Sequence, residues 1–230
     1  MSVPRRLPCW TAVLLDLDGT LVDTRPGMRG ALRAAFAEVT GDDSSTELAD
    51  LSLPLEDMIQ SADPAASAAR QQELSAAFRR HYDSTFWKEA HPYPGAKECL
   101  RDLGASGVRA FVVTNKRESA AERLVEHLGL AHYLDGVVGQ PEVGDPLPKS
   151  ELAGRCLTSR GLDPTTTVVV GDSNHDAAMA ASLGMTFIAV TSGIGPLSHV
   201  SAGEKRVEVN SLMDATAFVL LRLEGGSREP

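Results

Sequence analysis

Short runs of apolar, often β-branched residues recur along this chain, and each run ends in a polar turn. Four runs are clear and Val137-Val138 is a weaker fifth: Ala12–Leu15, Val108–Val113, Thr167–Val170 and Phe187–Val190. Because these runs lack a regular alternation of apolar and polar residues, they are typical of strands buried on both faces, as in a parallel sheet. We therefore predict that the chain is organised around a parallel β-sheet.

Helical patterns fill most of the gaps between these runs. We predict helices over Gly95–Leu103, Glu118–Leu128 and Lys149–Ser159, and a last helix, capped by Ser211, that is marked by Leu212, Ala215, Val219 and Leu223. Glycines follow the first three, which suits the left-handed residue that commonly ends a helix. Strands that alternate with helices of this length specify right-handed βαβ units. The predicted fold class is α/β, with a doubly wound, Rossmann-like parallel sheet.

Residues 24–91 interrupt the alternation, because this segment shows helical patterns and no strand. Asp63-Pro64 predicts the start of a helix that continues to about Lys88. We predict a smaller, all-helical domain over residues 24–91, inserted into an α/β core domain formed by residues 1–23 and 92–230. Insertions at the carboxyl edge of an α/β sheet commonly cover ligands, so we interpret this segment as a cap.

The net charge argues against two classes of partner, and the cysteines argue against two kinds of structural site. A formal net charge of −9 argues against broad nucleic-acid binding and against an anionic membrane surface, both of which require basic patches. It leaves a small anionic substrate open, because a metal ion and a few amides can reverse the local field. The three cysteines, Cys9, Cys99 and Cys156, form neither a disulfide framework nor a zinc site. No apolar run is long enough to span a membrane, and we expect a cytoplasmic protein.

Polar side chains follow the apolar runs at the points where the predicted strands end. They are Asp16 and Asp18, Thr114 and Asn115, and Asp172 and Asp176. Open α/β sheets bind ligands outside the carboxyl ends of their strands, so we expect these side chains to share one site. Two carboxylates from one strand end and a third from another form a hard oxygen site that suits Mg²⁺. A lone Asp-x-Asp is more often a strand end with a helix-capping residue than a metal site. The longer pattern Asp-x-Asp-Gly-Thr, directly after a buried strand, occurs by chance far less often than Asp-x-Asp alone, so here it favours the functional interpretation.

Residues 16–23, Asp-Leu-Asp-Gly-Thr-Leu-Val-Asp, resemble the first motif of the haloacid dehalogenase (HAD) superfamily. The resemblance is closest to the phosphoglycolate phosphatase-like members, which carry a helical cap after this motif. Residues 112–116, Val-Val-Thr-Asn-Lys, resemble the second motif, Lys149 the third, and residues 171–176, Gly-Asp-Ser-Asn-His-Asp, the fourth. The order matches the family over about residues 11–223, with one departure: the prolines of the third motif precede Lys149 here instead of following it.

The resemblance implies a two-step phosphoryl transfer. Asp16 would be the nucleophile that forms an aspartyl-phosphate, and Asp18 would protonate the leaving oxygen and then activate water. Mg²⁺ would be held by Asp16, by the backbone carbonyl of Asp18 and by Asp172, and would screen the repulsion between nucleophile and phosphate.

The resemblance also assigns residues around the phosphate. Thr114 and the amide of Asn115 would bind phosphoryl oxygens, and Lys149 would neutralise the negative charge on Asp16 and the phosphate. Asp176 would not be a direct ligand but would orient Lys149 or a metal-bound water. The alternative interpretation is that Asp176 is only an acidic residue at a helix start, where the helix dipole stabilises a negative charge.

The implied function is a Mg²⁺-dependent phosphatase acting on a small phosphorylated metabolite, with phosphoglycolate as the default substrate. A phosphosugar mutase would keep both Asp16 and Asp18, and a non-catalytic phospho-receiver would need one phosphorylatable aspartate, so both remain alternatives. The oligomeric state, monomer or dimer, is open.

Four basic residues allow two interpretations each. Arg25, Arg29 and Arg33 lie four residues apart on one helix face, so they form either a solvated basic face or a binding surface for a substrate anion. Lys116 either reaches the substrate from the second motif or lies at a solvated helix start. The sequence leaves these alternatives open.

Overall fold

The computed structural model describes residues 10–195, residue 197 and residues 205–224. The chain divides into two compact units. Residues 22–91 form a helical unit, and the described residues up to 21 and from 92 onward form a core unit.

The described residues contain eight strands and eight α-helices. The strands are β1 Ala12–Leu15, β2 Val22–Asp23, β3 His91–Pro92, β4 Arg109–Arg117, β5 Gly136–Gln140, β6 Thr167–Gly171, β7 Thr186–Val190 and β8 Arg206–Val209. The helices are α1 Arg25–Thr40, α2 Leu55–Ala62, α3 Ala68–Ser84, α4 Ala96–Ala105, α5 Glu118–His127, α6 Lys149–Arg160, α7 Asn174–Ser182 and α8 Leu212–Glu224. Short 3-10 helices lie at Ser44–Leu48, Phe86–Glu89, Ala131–Tyr133 and Pro164–Thr166.

The core unit is built on a six-stranded sheet with the order β5-β4-β1-β6-β7-β8, in which all adjacent strands run parallel. In the register of the central strands, Leu15 of β1 pairs with Val112 of β4 and with Val170 of β6. The carboxyl ends of these three strands therefore lie side by side. All five apolar runs form strands, which confirms the prediction of an α/β fold with a parallel sheet.

Both faces of the sheet carry buried side chains, since successive residues along each strand point to opposite faces. Leu14, Phe111 and Val169 lie in one apolar cluster with Cys156 of α6 and Met179 of α7. The intervening residues, such as Val13 and Val112, are equally buried and point to the opposite face. Helices α4 and α8 pack against each other. This burial on both faces explains why the strands read as continuous apolar runs.

The helical unit has an apolar core of its own, formed where α1, α2 and α3 pack together. On α1, Ala31, Leu32, Ala35 and Phe36 are buried, and Met28 and Val39 pack against the same cluster. Tyr82 stacks on Phe78 with ring centroids 5.7 Å apart, and Trp87 is buried.

The predicted helix start at Asp63-Pro64 is wrong. Asp63 follows the last residue of α2, and its carboxylate accepts a hydrogen bond from the Ala65 amide, which closes a turn. Helix α3 begins later, at Ala68, because Ser67 supplies the cap and its hydroxyl accepts a bond from the Arg70 amide. It ends at Ser84, and a 3-10 helix at Phe86–Glu89 covers the remainder of the predicted span.

Cys99 and Cys156 are free and buried. Cys9 and the side chain of Leu223 lie outside the described residues. Among the described helices, none is long and apolar enough to cross a membrane.

Candidate active site

Asp16 is the first residue after β1, and the sheet register determines its position. Its amide donates a hydrogen bond of 2.9 Å to the Val170 carbonyl of β6, which continues the strand ladder by one residue. Its side chain is buried. The chain then turns sharply at Gly19, whose φ is +90° and whose missing Cβ would lie 2.1 Å from Oδ2 of Asp172. Glycine is required here by the backbone conformation and by the carboxylate that approaches it.

Lys149 is the first residue of α6, and its side chain points inward instead of into solvent. The side chain is 6% exposed, and its ammonium group forms ion pairs with the carboxylates of Asp16 and Asp176. The distance from Nζ to Oδ1 of Asp176 is 2.7 Å. A solvated lysine at a helix start is therefore excluded for this position.

Asp176 lies in the first turn of α7 and has two roles in the structure. Its Oδ2 atom accepts hydrogen bonds from the Ser173 amide at 3.1 Å and from the Ser173 hydroxyl at 2.7 Å, which completes a capping box. Its other oxygen faces Lys149. The cap thus holds the carboxylate in the orientation that pairs with the lysine.

Asp172 follows β6 and is held by groups that the sequence analysis did not identify. Its Oδ2 atom accepts hydrogen bonds from the Ile194 amide at 2.6 Å and the Gly195 amide at 2.8 Å. The Thr20 hydroxyl donates to Oδ1 at 3.3 Å. Thr20 was visible as part of the first motif, but backbone amides can come from any residue type, so no side-chain pattern indicated residues 194 and 195.

Carboxylate oxygens of Asp16, Asp172 and Asp176 all lie within 4.8 Å of one another, and all three residues are buried. Buried carboxylates in such a cluster repel one another, and a single lysine offsets only part of their charge. A hard divalent cation suits this set of oxygen donors. The cluster contains two of the predicted metal ligands and adds Asp176; the predicted ligand of Asp18 is its backbone carbonyl and stays a prediction.

The burial of these charges shifts their pKa values. Burial raises the pKa of Asp16 well above its ordinary value, although Lys149 acts in the opposite direction. Burial likewise raises the pKa of Asp172, while the Gly195 and Ile194 amides lower it. For Lys149, burial lowers the pKa, but Asp16 and Asp176 together outweigh burial and raise it overall. The lysine is therefore charged, and the carboxylates lack sufficient positive charge around them.

The last residues of β4, from Thr114 onward, lie beside the end of β1. Thr114 is buried, and its hydroxyl accepts a hydrogen bond of 3.1 Å from the Lys116 amide. Asn115 is exposed. Lys116 is half-buried, and its Nζ lies 3.4 Å from Oδ1 of Asp18. Strand β4 thus brings the second motif to the edge of the sheet that carries the first.

The three arginines of α1 pair with carboxylates of the helical unit. Arg25 donates two hydrogen bonds to Asp23, at 2.8 and 2.6 Å, and these lower the pKa of that carboxyl. Arg29 and Arg33 both pair with Glu47. About two-fifths to half of each arginine side chain is exposed, so these contacts describe a solvated basic face offset by nearby acids.

The chain matches the family model for haloacid dehalogenase-like hydrolases over residues 13–190, a span that includes the carboxyl ends of β1, β4 and β6. The chain belongs to this family. The prediction of an enzyme is confirmed in its general form, because the family consists of hydrolases.

Individual members of the family resemble the chain over most of its length. A probable phosphatase IndB of Dickeya dadantii is 34% identical over 221 residues, which cover 92% of this chain and 95% of the relative. A phosphoglycolate phosphatase of Cereibacter sphaeroides is 32% identical over 79% of this chain and 85% of its own length. The fold is similar to the crystal structure of a putative phosphatase from Clostridium difficile, with a TM-score of 0.79, 22% identity, and coverage of 90% of this chain and 98% of that one.

Proposed function

We propose that this chain is a Mg²⁺-dependent phosphatase that hydrolyses a small phosphomonoester through an aspartyl-phosphate on Asp16. The observation that carries the proposal is the buried cluster at the ends of β1 and β6, in which Lys149 faces Asp16 and Asp176. A nucleophilic carboxylate next to a fixed positive charge is the arrangement that phosphoryl transfer to an aspartate requires.

The cation would be held by the side chains of Asp16 and Asp172 and by the backbone carbonyl of Asp18. When bound, Mg²⁺ would supply the positive charge that screens an anionic nucleophile from an anionic phosphate. The contribution of the protein is to fix the ligands: the Ile194 and Gly195 amides and the Thr20 hydroxyl hold Asp172 in place. Such outer contacts orient a metal ligand and tune its affinity.

In the first step, a carboxylate oxygen of Asp16 forms a bond to phosphorus while the bond from phosphorus to the ester oxygen breaks. The carboxylic acid of Asp18 gives its proton to that oxygen, and the alcohol leaves. Thr114 and the amide of Asn115 bind phosphoryl oxygens, and Lys149 offsets the negative charge that gathers between Asp16 and the phosphate.

In the second step, water attacks the phosphorus of the aspartyl-phosphate. The carboxylate of Asp18 takes a proton from the water, the bond from phosphorus to Asp16 breaks, and inorganic phosphate is released. Both aspartates return to their starting states, so Asp18 acts once as an acid and once as a base.

The substrate class is a small phosphate ester of the phosphoglycolate type. This proposal is supported by the relatives named as phosphoglycolate phosphatases, which align with most of this chain. The helical unit, inserted directly after the first motif, would serve as a cap that selects among such esters.

The test is phosphate release from a panel of small phosphate esters, with Mg²⁺ and with a chelator, for the wild type and two variants. Asp16→Asn should abolish turnover, whereas Asp57→Asn, an exposed residue of α2, should leave it unchanged. Turnover that survives Asp16→Asn would refute the mechanism. Transfer to a second sugar hydroxyl without free phosphate would indicate a mutase, and an aspartyl-phosphate that persists for many minutes would indicate a receiver.

A further inference from the structure

Lys116 is a second lysine next to the catalytic aspartates, and it lies opposite Asp18 instead of Asp16. It belongs to the extension of β4, the strand whose Val112 pairs with Leu15 of β1. Its Nζ is 3.4 Å from Oδ1 of Asp18. This oxygen is shielded from solvent and accepts no hydrogen bond among the described residues, so the ammonium group of Lys116 is the charge placed to fix it.

We propose that Lys116 is a positioning residue that orients Asp18 for proton transfer to the leaving group, an inference that rests on the phosphatase function proposed above. An ammonium group only donates hydrogen bonds, and the carbonyl oxygen of a carboxylic acid accepts them more readily than its hydroxyl oxygen does. With Oδ1 facing Lys116, the proton of the Asp18 carboxylic acid is favoured on Oδ2. Lys116 thereby favours one oxygen for delivery of the proton as the ester bond breaks.

The two lysines differ in their surroundings, which separates their roles. The Lys149 side chain is 6% exposed and pairs with two buried carboxylates, whereas the Lys116 side chain is 18% exposed and pairs with an aspartate that is 31% exposed. A contact at this depth is weak as a source of stability. Its value lies in orientation, because proton transfer requires the acid within hydrogen-bond reach of the leaving oxygen.

The inference can be separated from a direct contact between Lys116 and the substrate by the choice of leaving group. An alkyl phosphate needs a proton on the departing oxygen, whereas p-nitrophenolate leaves readily without one. The quantity to measure is kcat/KM, because it covers the steps up to departure of the alcohol and excludes hydrolysis of the shared aspartyl-phosphate. We expect Lys116→Met to lower kcat/KM about 10- to 100-fold for the alkyl ester and less than about 3-fold for p-nitrophenyl phosphate. The larger loss is a fraction of the about 100- to 10,000-fold that a general acid supplies, because Asp18 itself stays in place.

Three further variants sharpen the test. Lys116→Arg keeps the positive charge and should restore most of the activity toward the alkyl ester. In an Asp18→Asn background, Lys116→Met should cause little further loss, because the two residues act as a unit. Lys97→Met makes the same substitution at an exposed residue of α4 and should behave as wild type. Thermal melting of each variant verifies folding, and Lys116→Gln repeats the test if the methionine variant does not fold.

Equal losses on both esters would show that Lys116 binds the phosphoryl group, and would overturn the inference. An unchanged Lys116→Met, or losses that add fully to those of Asp18→Asn, would overturn it as well. A wild type that is inactive toward both esters would refute the phosphatase function itself, and the inference with it. That result is visible before any variant is compared, so the two failures are distinguishable.

Discussion

Replacing Lys149 by methionine removes the positive charge from the centre of the acidic cluster while keeping the length of the side chain. The Lys149 side chain is 6% exposed and its ammonium group contacts Asp16 and Asp176, so its loss leaves buried carboxylates without their partner. Removing one member of a buried ion pair costs about 3–5 kcal/mol. Since the total stability of a protein is about 5–15 kcal/mol, we expect a large fall in the free energy of unfolding of the metal-free protein at neutral pH.

The same variant should show a specific pH dependence. The pKa of Asp16 is raised above its ordinary value of 3.8. A group whose pKa is raised by folding contributes fully to the stability of the folded protein when the pH is below its pKa in the unfolded chain. This contribution is lost as the pH rises through its pKa in the folded protein. Lys149 is the main group that lowers the pKa of Asp16, so its removal raises this pKa further and increases the loss at neutral pH. We expect the destabilisation to be smaller at about pH 5 than at about pH 8.

Urea unfolding in the presence of a chelator measures this difference at both pH values. Lys97→Met provides the matched control, since substitution of an exposed lysine should change stability by less than about 0.5 kcal/mol. If Lys149→Met lowered the free energy of unfolding by less than about 1 kcal/mol at the higher pH, the loss would be far smaller than the cost of a broken buried ion pair. That result would show that the cluster does not depend on the lysine. If the destabilisation caused by Lys149→Met became larger as the pH is lowered, the ionised carboxylate of Asp16 would not be its cause.

Three further outcomes follow from local contacts. Thr20→Val removes the hydroxyl that donates to Asp172 and should raise the Mg²⁺ concentration needed for half-maximal activity about 10- to 100-fold, as a metal titration would show. Gly19→Ala places a methyl group 2.1 Å from an Asp172 oxygen at a φ of +90°, so both activity and the melting temperature should fall sharply. Burial raises the pKa of Cys156 to about 11 and also raises that of Cys99, so alkylation mapped by mass spectrometry should label neither thiol until the protein unfolds.

The sheet could be predicted from the sequence because its strands are buried on both faces. Strand β1, over Ala12–Leu15, has the bounds of its apolar run, and β6 extends its run by Gly171 alone. Strand β8 was missed although Arg206-Val-Glu-Val alternates polar and apolar residues, as a half-buried strand does. It has only 4 residues and lies at an edge of the sheet, so it offers neither a long alternation nor a continuous apolar run.

Local turn chemistry limited the prediction in the helical unit. Asp63-Pro64 has the composition of a helix start, but Asp63 closes a turn with the Ala65 amide instead. Ser67, a residue of similar capping strength, supplies the cap of α3. Leu74 and Phe78 are buried in the core of the unit and would lie in the helix with either start. The apolar pattern therefore does not distinguish between two caps a few residues apart.

The functional cluster shows the same division between what a motif indicates and what only a structure provides. The sequence identified Asp16, Lys149 and Asp176 as separate members of three motifs, and the structure joins them through one ammonium group. Asp176 connects this group to the backbone, because the same carboxylate that faces Lys149 caps α7 through Ser173. The capping contacts with Ser173 hold the Asp176 carboxylate, this carboxylate holds the Lys149 ammonium group, and the ammonium group pairs with Asp16. An acidic helix start and an orienting residue were alternatives for Asp176 from sequence, and its two oxygens allow it to be both.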